Sequence, residues 1–156
     1  MAIVELTRIV GLIAFGIILI FGIQPWLFQS QILFIGDQNV QTWLATQYQR
    51  AAYLVAGVSI VSTFLWYFLS SRAAISNIED LKPWRLLWWI LLLVPLVSIG
   101  GALAFFNTSR DAQLWLVILF LLNVIVLFWL PTAVGSPKPV KNVPLGGRTL
   151  RKFLDS

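Results

Sequence analysis

Four long apolar stretches, separated by more polar segments, dominate the pattern of hydrophobic and polar positions along this chain. They cover residues 9–28, 52–70, 86–106 and 112–130, and none of the four contains a charged residue. Each has 19 to 21 residues, close to the ~20 that a helix needs to cross the hydrocarbon core of a bilayer. The pattern predicts an all-α integral membrane protein with four transmembrane helices in an antiparallel bundle.

The longest connection, residues 29–51, carries helix signals of its own. Gly36 to Asn39 is typical of a turn, and Asp37 or Asn39 is the candidate cap for the helix that follows. From Val40 onward, apolar residues recur at helical spacing among Gln and Thr. We therefore expect an amphipathic lead-in that runs into the second span.

The other boundaries follow from a short connection and from prolines. Only Asn107 to Asp111 separates the third span from the fourth, which predicts a tight helical hairpin. Pro131 follows the fourth span, and further prolines lie beyond it. We expect residues 1–130 to form one transmembrane domain and residues 131–156 to form an extended, mobile, basic cytoplasmic tail.

Basic residues are distributed unevenly, and an even number of spans places both termini on one side of the membrane. Nine Lys and Arg residues would lie on that side, and two, Arg50 and Arg110, on the other. The positive-inside rule then predicts cytoplasmic or stromal termini, in a bacterial inner membrane or an organellar membrane such as the thylakoid. The nine are Arg8, Arg72, Lys82, Arg85, Lys138, Lys141, Arg148, Arg151 and Lys152.

Composition narrows the chemistry that the chain can support. It is 59% apolar and 11% charged, compared with about 45–50% and about 25% in soluble domains. With no Cys and no His, the usual haem and zinc ligands and the commonest general base are missing. We expect no catalytic site, metal or cofactor, and hence no enzyme. The charges lie between the spans rather than on a polar folded face, so we expect no nucleic-acid binding either.

The few residues in the spans that are polar or disrupt a helix define one candidate site. Hydroxyl and amide side chains in membrane helices usually bond their own helix or a neighbouring one. The alternative interpretation is a narrow polar path beside a proline kink in the third span. The candidate residues for helix packing or for such a path are Gln24, Ser59, Ser62, Thr63, Pro95, Ser98, Gly100, Gly101 and Asn123.

The chain is rich in aromatic residues, with eight Trp and eleven Phe. Seven of the eight tryptophans fall near the ends of the predicted spans, which is typical of anchors at the membrane–water interface. They are Trp26, Trp43, Trp66, Trp84, Trp88, Trp115 and Trp129. Lipid is therefore their expected contact. Contact with a flat pigment or quinone is the alternative, although no histidine is present to ligate a pigment.

Two basic segments outside the spans are candidates for contact with a partner or with anionic lipid. One connects the second and third spans. The other lies near the C terminus, where Leu150, Phe153 and Leu154 would share one side of a short surface helix. The candidate residues are Arg72, Lys82, Arg85, Arg148, Arg151 and Lys152.

These features favour a non-catalytic accessory subunit, or an assembly factor that stabilises a larger membrane protein complex. Its partners would be membrane lipid and other integral membrane proteins, or further copies of this chain, bound through small-residue helix faces and the basic surface. The alternative is a small homo-oligomeric transporter or channel for a neutral or apolar solute. Four uncharged spans are too few to enclose a sizeable path alone and offer no fixed charge to balance an ion.

Overall fold

A computed structural model describes residues 2–154, and every regular element in that part of the chain is helical. Four helices are long and apolar enough to cross a membrane, which confirms the predicted all-α class and number of spans. A short fifth helix follows them. We label the helices α1 (Ile3–Gln29), α2 (Val40–Ser70), α3 (Ile78–Phe106), α4 (Gln113–Gly135) and α5 (Gly147–Leu154).

The helices extend beyond the apolar spans because a helix can continue into the polar interface once its first turn is capped. α2 begins at Val40 and so includes the predicted lead-in. The Asn39 side chain accepts a hydrogen bond from the backbone N–H of Thr42 at 3.0 Å, which confirms Asn39 as a cap. α3 begins with a 3₁₀ turn at Ile78–Asp80 and becomes α-helical at Leu81, so Pro83 lies in the first α-helical turn, where a missing N–H is tolerated.

α4 continues to Gly135, past the boundary that Pro131 predicts. Proline removes a backbone donor, but α4 widens into a π-helical turn at Ile125–Trp129 just before it. α1 has the same arrangement, with a π-helical turn at Leu19–Ile23 shortly before Pro25. Wider turns of this kind allow a membrane helix to pass a proline when neighbouring groups satisfy the freed carbonyls.

The bundle is organised around α4. Half of the apolar window of α4 is buried, compared with 22% for the windows of α1 and α3. Ile9 of α1 lies against Gly135, and Leu127 of α4 lies against Gly16. α2 packs along α3 and also against α4. α4 is therefore the inner helix, and α1 and α3 expose more of their surface.

The connection between α3 and α4 packs against the first turns of α2 and against the segment that joins α1 to α2. Gln47 Nε2 donates to Thr108 Oγ1 at 2.7 Å, and the backbone N–H of Thr108 donates to Gln47 Oε1 at 2.9 Å. Ser109 Oγ donates to the carbonyl of Ile35 at 3.2 Å. Gly36 has a φ of +81°, which a glycine adopts without strain.

Within the predicted tail, residues 131–135 continue α4, and residues 136–154 fold back onto the end of that helix instead of extending away. Arg151 of α5 donates to the carbonyl of Ala133 at 3.2 Å and to that of Ser136 at 2.5 Å. The last carbonyls of a helix have no intrahelical donor, so a guanidinium is a favourable partner for them. Whether this segment is mobile stays a prediction, and residues 155 and 156 lie outside the described part.

Candidate functional site

Two amide side chains predicted in the membrane interior, Gln24 of α1 and Asn123 of α4, bond each other. Gln24 Nε2 donates to Asn123 Oδ1 at 2.6 Å, and Asn123 Nδ2 donates to Gln24 Oε1 at 3.1 Å. Both residues are fully buried. Because an amide in hydrocarbon is costly without a partner, this reciprocal pair fixes α1 against α4.

Tyr48 of α2 extends this network. Its hydroxyl lies 2.8 Å from Gln24 Oε1 and 2.7 Å from the carbonyl oxygen of Ile20, so its one proton has two acceptors. The Ile20 carbonyl lacks a backbone donor, because the Gln24 N–H bonds Leu19 across the π-helical turn and Pro25 has no N–H. Tyr48 supplies the missing donor and ties α2 to α1.

Thr63 of α2 supplies a hydrogen-bond donor to the carbonyl that Pro131 leaves without one in α4. Pro131 offers no N–H to the carbonyl of Leu127, four residues earlier. Thr63 Oγ1 donates to that carbonyl at 2.6 Å and also lies 3.0 Å from the carbonyl of Ser59. Ser59 Oγ in turn donates to the Val55 carbonyl of its own helix at 2.7 Å. The hydroxyls of Ser59 and Thr63, both candidates for helix packing or a polar path, therefore donate to backbone carbonyls.

Two indoles and two hydroxyls form a second buried group at the end of α4, which we call the indole–hydroxyl cluster. Trp66 Nε1 of α2 donates to Ser136 Oγ at 2.8 Å, and Trp88 Nε1 of α3 donates to Thr132 Oγ1 at 3.0 Å. The Ser136 hydroxyl donates to the carbonyl of Thr132. Each of the four side chains is at most 1% exposed. The cluster joins α2 and α3 to the segment around Pro131.

The remaining candidate interior residues lie on α2 and α3. Ser62 is buried on α2. On α3, Ser98 Oγ donates to the carbonyl of Pro95 at 2.7 Å, within its own helix. A Cβ added at Gly100 or Gly101 would meet no heavy atom within 4 Å, apart from the backbone of α3 itself. The structure thus joins Gln24 to Asn123 and Ser59 to Thr63, while Ser98 bonds within α3.

The tryptophans differ in burial, and Trp84 and Trp129 are intermediate between exposed and buried. Trp26 is 56% exposed and Trp115 is 38% exposed, as expected of interfacial anchors. Trp43, Trp66 and Trp88 are at most 2% exposed, so their prediction as interfacial anchors is wrong. An indole can be buried where a hydroxyl accepts from its N–H, as it does for Trp66 and Trp88, because the hydrogen bond offsets the cost of desolvation.

Trp43 is held by ring contacts. Its ring centroid lies 4.9 Å from that of Phe28 in an edge-on arrangement and 6.0 Å from that of Tyr48. Among residues 2–154, no group accepts a hydrogen bond from its Nε1. Aromatic packing beside the Tyr48 network therefore keeps this indole in the core.

The outward faces of three helices carry glycines that no side chain of the described residues covers. Gly11 and Gly22 on α1, Gly57 on α2 and Gly100 on α3 are all exposed. A Cβ built at any of them would have no neighbour within 4 Å beyond its own helix. Small residues at such positions let the backbone of another helix approach closely.

The six basic residues predicted to contact a partner or lipid fall into two classes. The exposed ones are Arg72, Lys82, Arg85, Arg148 and Lys152. Arg72 lies over the ring of Phe68, with its Cζ 4.1 Å from the ring centroid. Arg151 is half-buried and occupied by carbonyls at the end of α4, so it positions α5 rather than extending the exposed basic surface.

Sequence reasoning missed Tyr48, Thr132 and Ser136 as interior hydrogen-bonding residues. Tyr48 falls in the polar lead-in, and the other two fall in the predicted tail. Pro25 is the signal that could have revealed Tyr48, because a proline leaves a carbonyl that needs a donor from another helix. No comparable signal marks Thr132 and Ser136, which bond indoles of α2 and α3.

Neither the grouping of side chains within residues 2–154 nor similarity to a known protein points to a ligand. Among residues 2–154, no three Asp, Glu, Cys or His side chains are grouped so that they could hold a metal ion. Protein-family models, curated proteins and solved structures give no match to this chain.

Proposed function

We propose that this chain is a non-catalytic accessory subunit or assembly factor of a larger membrane protein complex. It crosses the membrane four times, with both termini on the cytoplasmic or stromal side. It binds partner helices along its glycine-bearing faces, with the exposed basic residues in a supporting role. The observation that carries the proposal is that Gly22, Gly57 and Gly100 are exposed on three different helices and lack side-chain neighbours among residues 2–154.

The exposed glycines have a physical cost that a partner helix would offset. Glycine in a helix interior is less favourable than alanine by about 1 kcal/mol, and lipid alone gains nothing from the missing side chain. On α3, Gly100 and Ala104 are exposed four residues apart, and Val97 is 65% exposed on the preceding turn. This spacing is the one at which helix backbones approach each other closely in membranes.

The interior supports this function over transport by a single copy. Gln24, Asn123, Tyr48 and Thr63 direct their polar groups at one another or at backbone carbonyls. A solute path needs polar groups that can exchange protein partners for the solute. Side chains that already satisfy each other in a buried region act as structural links between helices.

The contacts between α1 and α4 support the proposed antiparallel arrangement. Residues that come later in α1 contact residues that come earlier in α4. Together with the short connection after α3 and the nine-to-two distribution of basic residues, this order supports a topology with both termini at the same face. The contacting pairs are Ile9 with Gly135, Gly16 with Leu127, and Gln24 with Asn123.

Co-purification from the native membrane tests the proposal. In mild detergent the wild-type chain should migrate with a larger complex on native gels and should bring partner subunits with it. Gly100→Leu should weaken this association about tenfold or more, because it fills the space that a partner backbone would occupy. Ile118→Phe adds bulk on an exposed face of α4 and serves as the control. A chain that elutes alone in every gentle extraction would contradict the proposal.

An open cleft beside Tyr48 favours a second candidate, a homo-oligomeric transporter for a neutral solute. The cleft has a volume of about 330 Å³ and is lined by the polar side chains of Gln29, Gln41 and Gln49. Ala45→Trp would fill it. Glycerol-driven swelling of liposomes should then fall, whereas Ala14→Trp, at an exposed position of α1, should not change it. Swelling that is absent, or is unaffected by Ala45→Trp, would reject this candidate.

A further inference from the structure

α1, the end of α4 and α5 enclose an apolar groove of about 450 Å³. This volume falls within the range of about 300–1,000 Å³ that is typical of small-ligand sites. Leu12 of α1, Leu130 of α4 and Leu150 of α5 line the groove, and Arg8 is the charged residue among its lining side chains. The groove is thus a hydrocarbon-walled site with a cation in its lining.

Gly11 gives the groove part of its depth. It lines the groove, and a Cβ at this position would meet no heavy atom within 4 Å beyond its own helix. The space opposite Gly11 is therefore open to an occupant that does not belong to the described chain. A bulky residue could enter this space without a clash in the bundle, which makes Gly11 a suitable position for a blocking substitution.

α5 closes the groove as an amphipathic helix. Leu150 and Phe153 line the groove, while Arg148 and Lys152 lie on the opposite side of α5 at about 100° per residue. Phe153 is 78% exposed, so α5 also presents hydrocarbon outward. An apolar face joined to a basic face is typical of a helix that lies in the membrane interface.

Among residues 2–154, the charged side chains of the groove lining and of the outward side of α5 are mostly basic. Arg8 lines it, Arg148 and Lys152 are exposed on α5, and Arg151 holds α5 to the end of α4. On α1, the half-buried Glu5 lies one turn before Arg8. The surplus of cations favours an anionic occupant, because basic residues near a membrane surface attract anionic lipid.

We propose that this groove binds one anionic phospholipid of the leaflet in which the termini lie. An acyl chain lies along Leu12, Leu130 and Leu150, and the lipid phosphate contacts Arg8. This inference goes beyond the role as an accessory subunit and does not depend on it.

The dimensions and chemistry of the groove favour a lipid over a peptide. A helix about 10 Å wide occupies on the order of 800 Å³ for each 10 Å of its length, more than the volume of the groove. An extended peptide would bring backbone N–H and C=O groups against walls of hydrocarbon, which leaves those groups without partners. An acyl chain has no such groups.

Native mass spectrometry of the full chain tests the proposal. The purified protein is stripped of co-purified lipid in detergent and then incubated with equal amounts of palmitoyl-oleoyl phosphatidylglycerol and phosphatidylcholine. The wild type should retain one phosphatidylglycerol with about fivefold preference, the factor that corresponds to about 1 kcal/mol per basic residue. Arg8→Gln should lower this preference towards unity.

The blocking variant separates the groove from the rest of the lipid-facing surface. Gly11→Phe should reduce retention of both lipids about tenfold, as expected when a side chain replaces the buried acyl segment. Ile118→Phe, at an exposed position of α4 outside the groove, should retain lipid as the wild type does. Size-exclusion profiles and circular dichroism establish that the variants are folded, and if Gly11→Phe fails this check, Arg8→Gln decides the outcome. Equal retention of the two lipids by the wild type, or unchanged retention in a folded Gly11→Phe, would overturn the proposal.

Discussion

Asn123→Leu should destabilise the bundle even though it makes the membrane interior more apolar. The substitution removes the two hydrogen bonds of the pair with Gln24, at 2.6 and 3.1 Å. Side-chain hydrogen bonds in membrane proteins contribute about 0.6 kcal/mol on average and up to about 1.7. Their loss should therefore lower the free energy of unfolding by about 1–3 kcal/mol, because the Gln24 amide keeps Tyr48 as a partner but loses Asn123.

A double-mutant cycle isolates the contribution of the pair. Asn123→Leu leaves the Gln24 amide with Tyr48 as its remaining partner, and Gln24→Met removes both bonds of the Asn123 amide, whereas the double variant contains neither amide. The Tyr48 hydroxyl retains the carbonyl of Ile20 at 2.7 Å in every variant. The two single penalties should therefore exceed the penalty of the double variant, with a coupling of about 1 kcal/mol.

Reversible unfolding of the purified chain in mixed micelles, followed by tryptophan fluorescence, measures these differences. Ser98→Ala is the control, because the Ser98 hydroxyl is half-buried and bonds within its own helix. It should change the free energy of unfolding by less than about 0.5 kcal/mol. The reasoning is refuted if Asn123→Leu costs no more than Ser98→Ala and the cycle gives no coupling.

The same structure leads to three further expectations. Thr63→Val should lower the free energy of unfolding by about 1 kcal/mol in the same assay. The loss should be smaller in a Pro131→Ala background, because the restored backbone N–H can donate to the Leu127 carbonyl that Thr63 now bonds. Equal losses in the two backgrounds would argue against this compensation. Gly135→Ala should lower the free energy of unfolding by about 1–3 kcal/mol, because the added methyl group collides with α1. Gly22→Ala places its methyl group in open space and should be neutral or stabilising. Equal stability of the two variants would contradict the contact between Gly135 and α1. Arg151→Met should speed amide hydrogen exchange in α5 about tenfold, because it removes two hydrogen bonds to the end of α4. Unchanged exchange rates in α5 would mean that other contacts hold this helix.

The paired π-helical turns show how a proline in a membrane helix can shape its neighbours. Pro25 and Pro131 each remove a donor, and a hydroxyl from α2 approaches a carbonyl near each of them. In water these carbonyls could bond solvent, but within lipid the donor must come from another part of the protein. The two prolines therefore help to determine where α2 sits relative to α1 and α4.

Partner choice among interior polar residues could not be predicted from the chain alone. Gln24 and Asn123 stand 99 positions apart. Their presence in apolar segments shows that each needs a hydrogen-bond partner. The sequence contains several hydroxyl and amide side chains that could be that partner, and it does not show which of them lies nearby in the folded bundle. The same holds for Trp66 and Trp88, whose positions near span ends suit an interfacial anchor as well as a buried indole.

The amino-acid sequence by itself determined the all-α class and the number of membrane-spanning helices, and it limited the cap of α2 to Asp37 or Asn39. These properties depend on local composition and on groups a few residues apart, and the energetic cost of leaving backbone polar groups unpaired in hydrocarbon dictates helices of sufficient length. The tertiary structure alone decided the length of α4 beyond Pro131, the pairing of the amides and the docking of α5 by Arg151. Each of these depends on a donor supplied by a distant segment, and only the packed bundle brings that donor within hydrogen-bond distance.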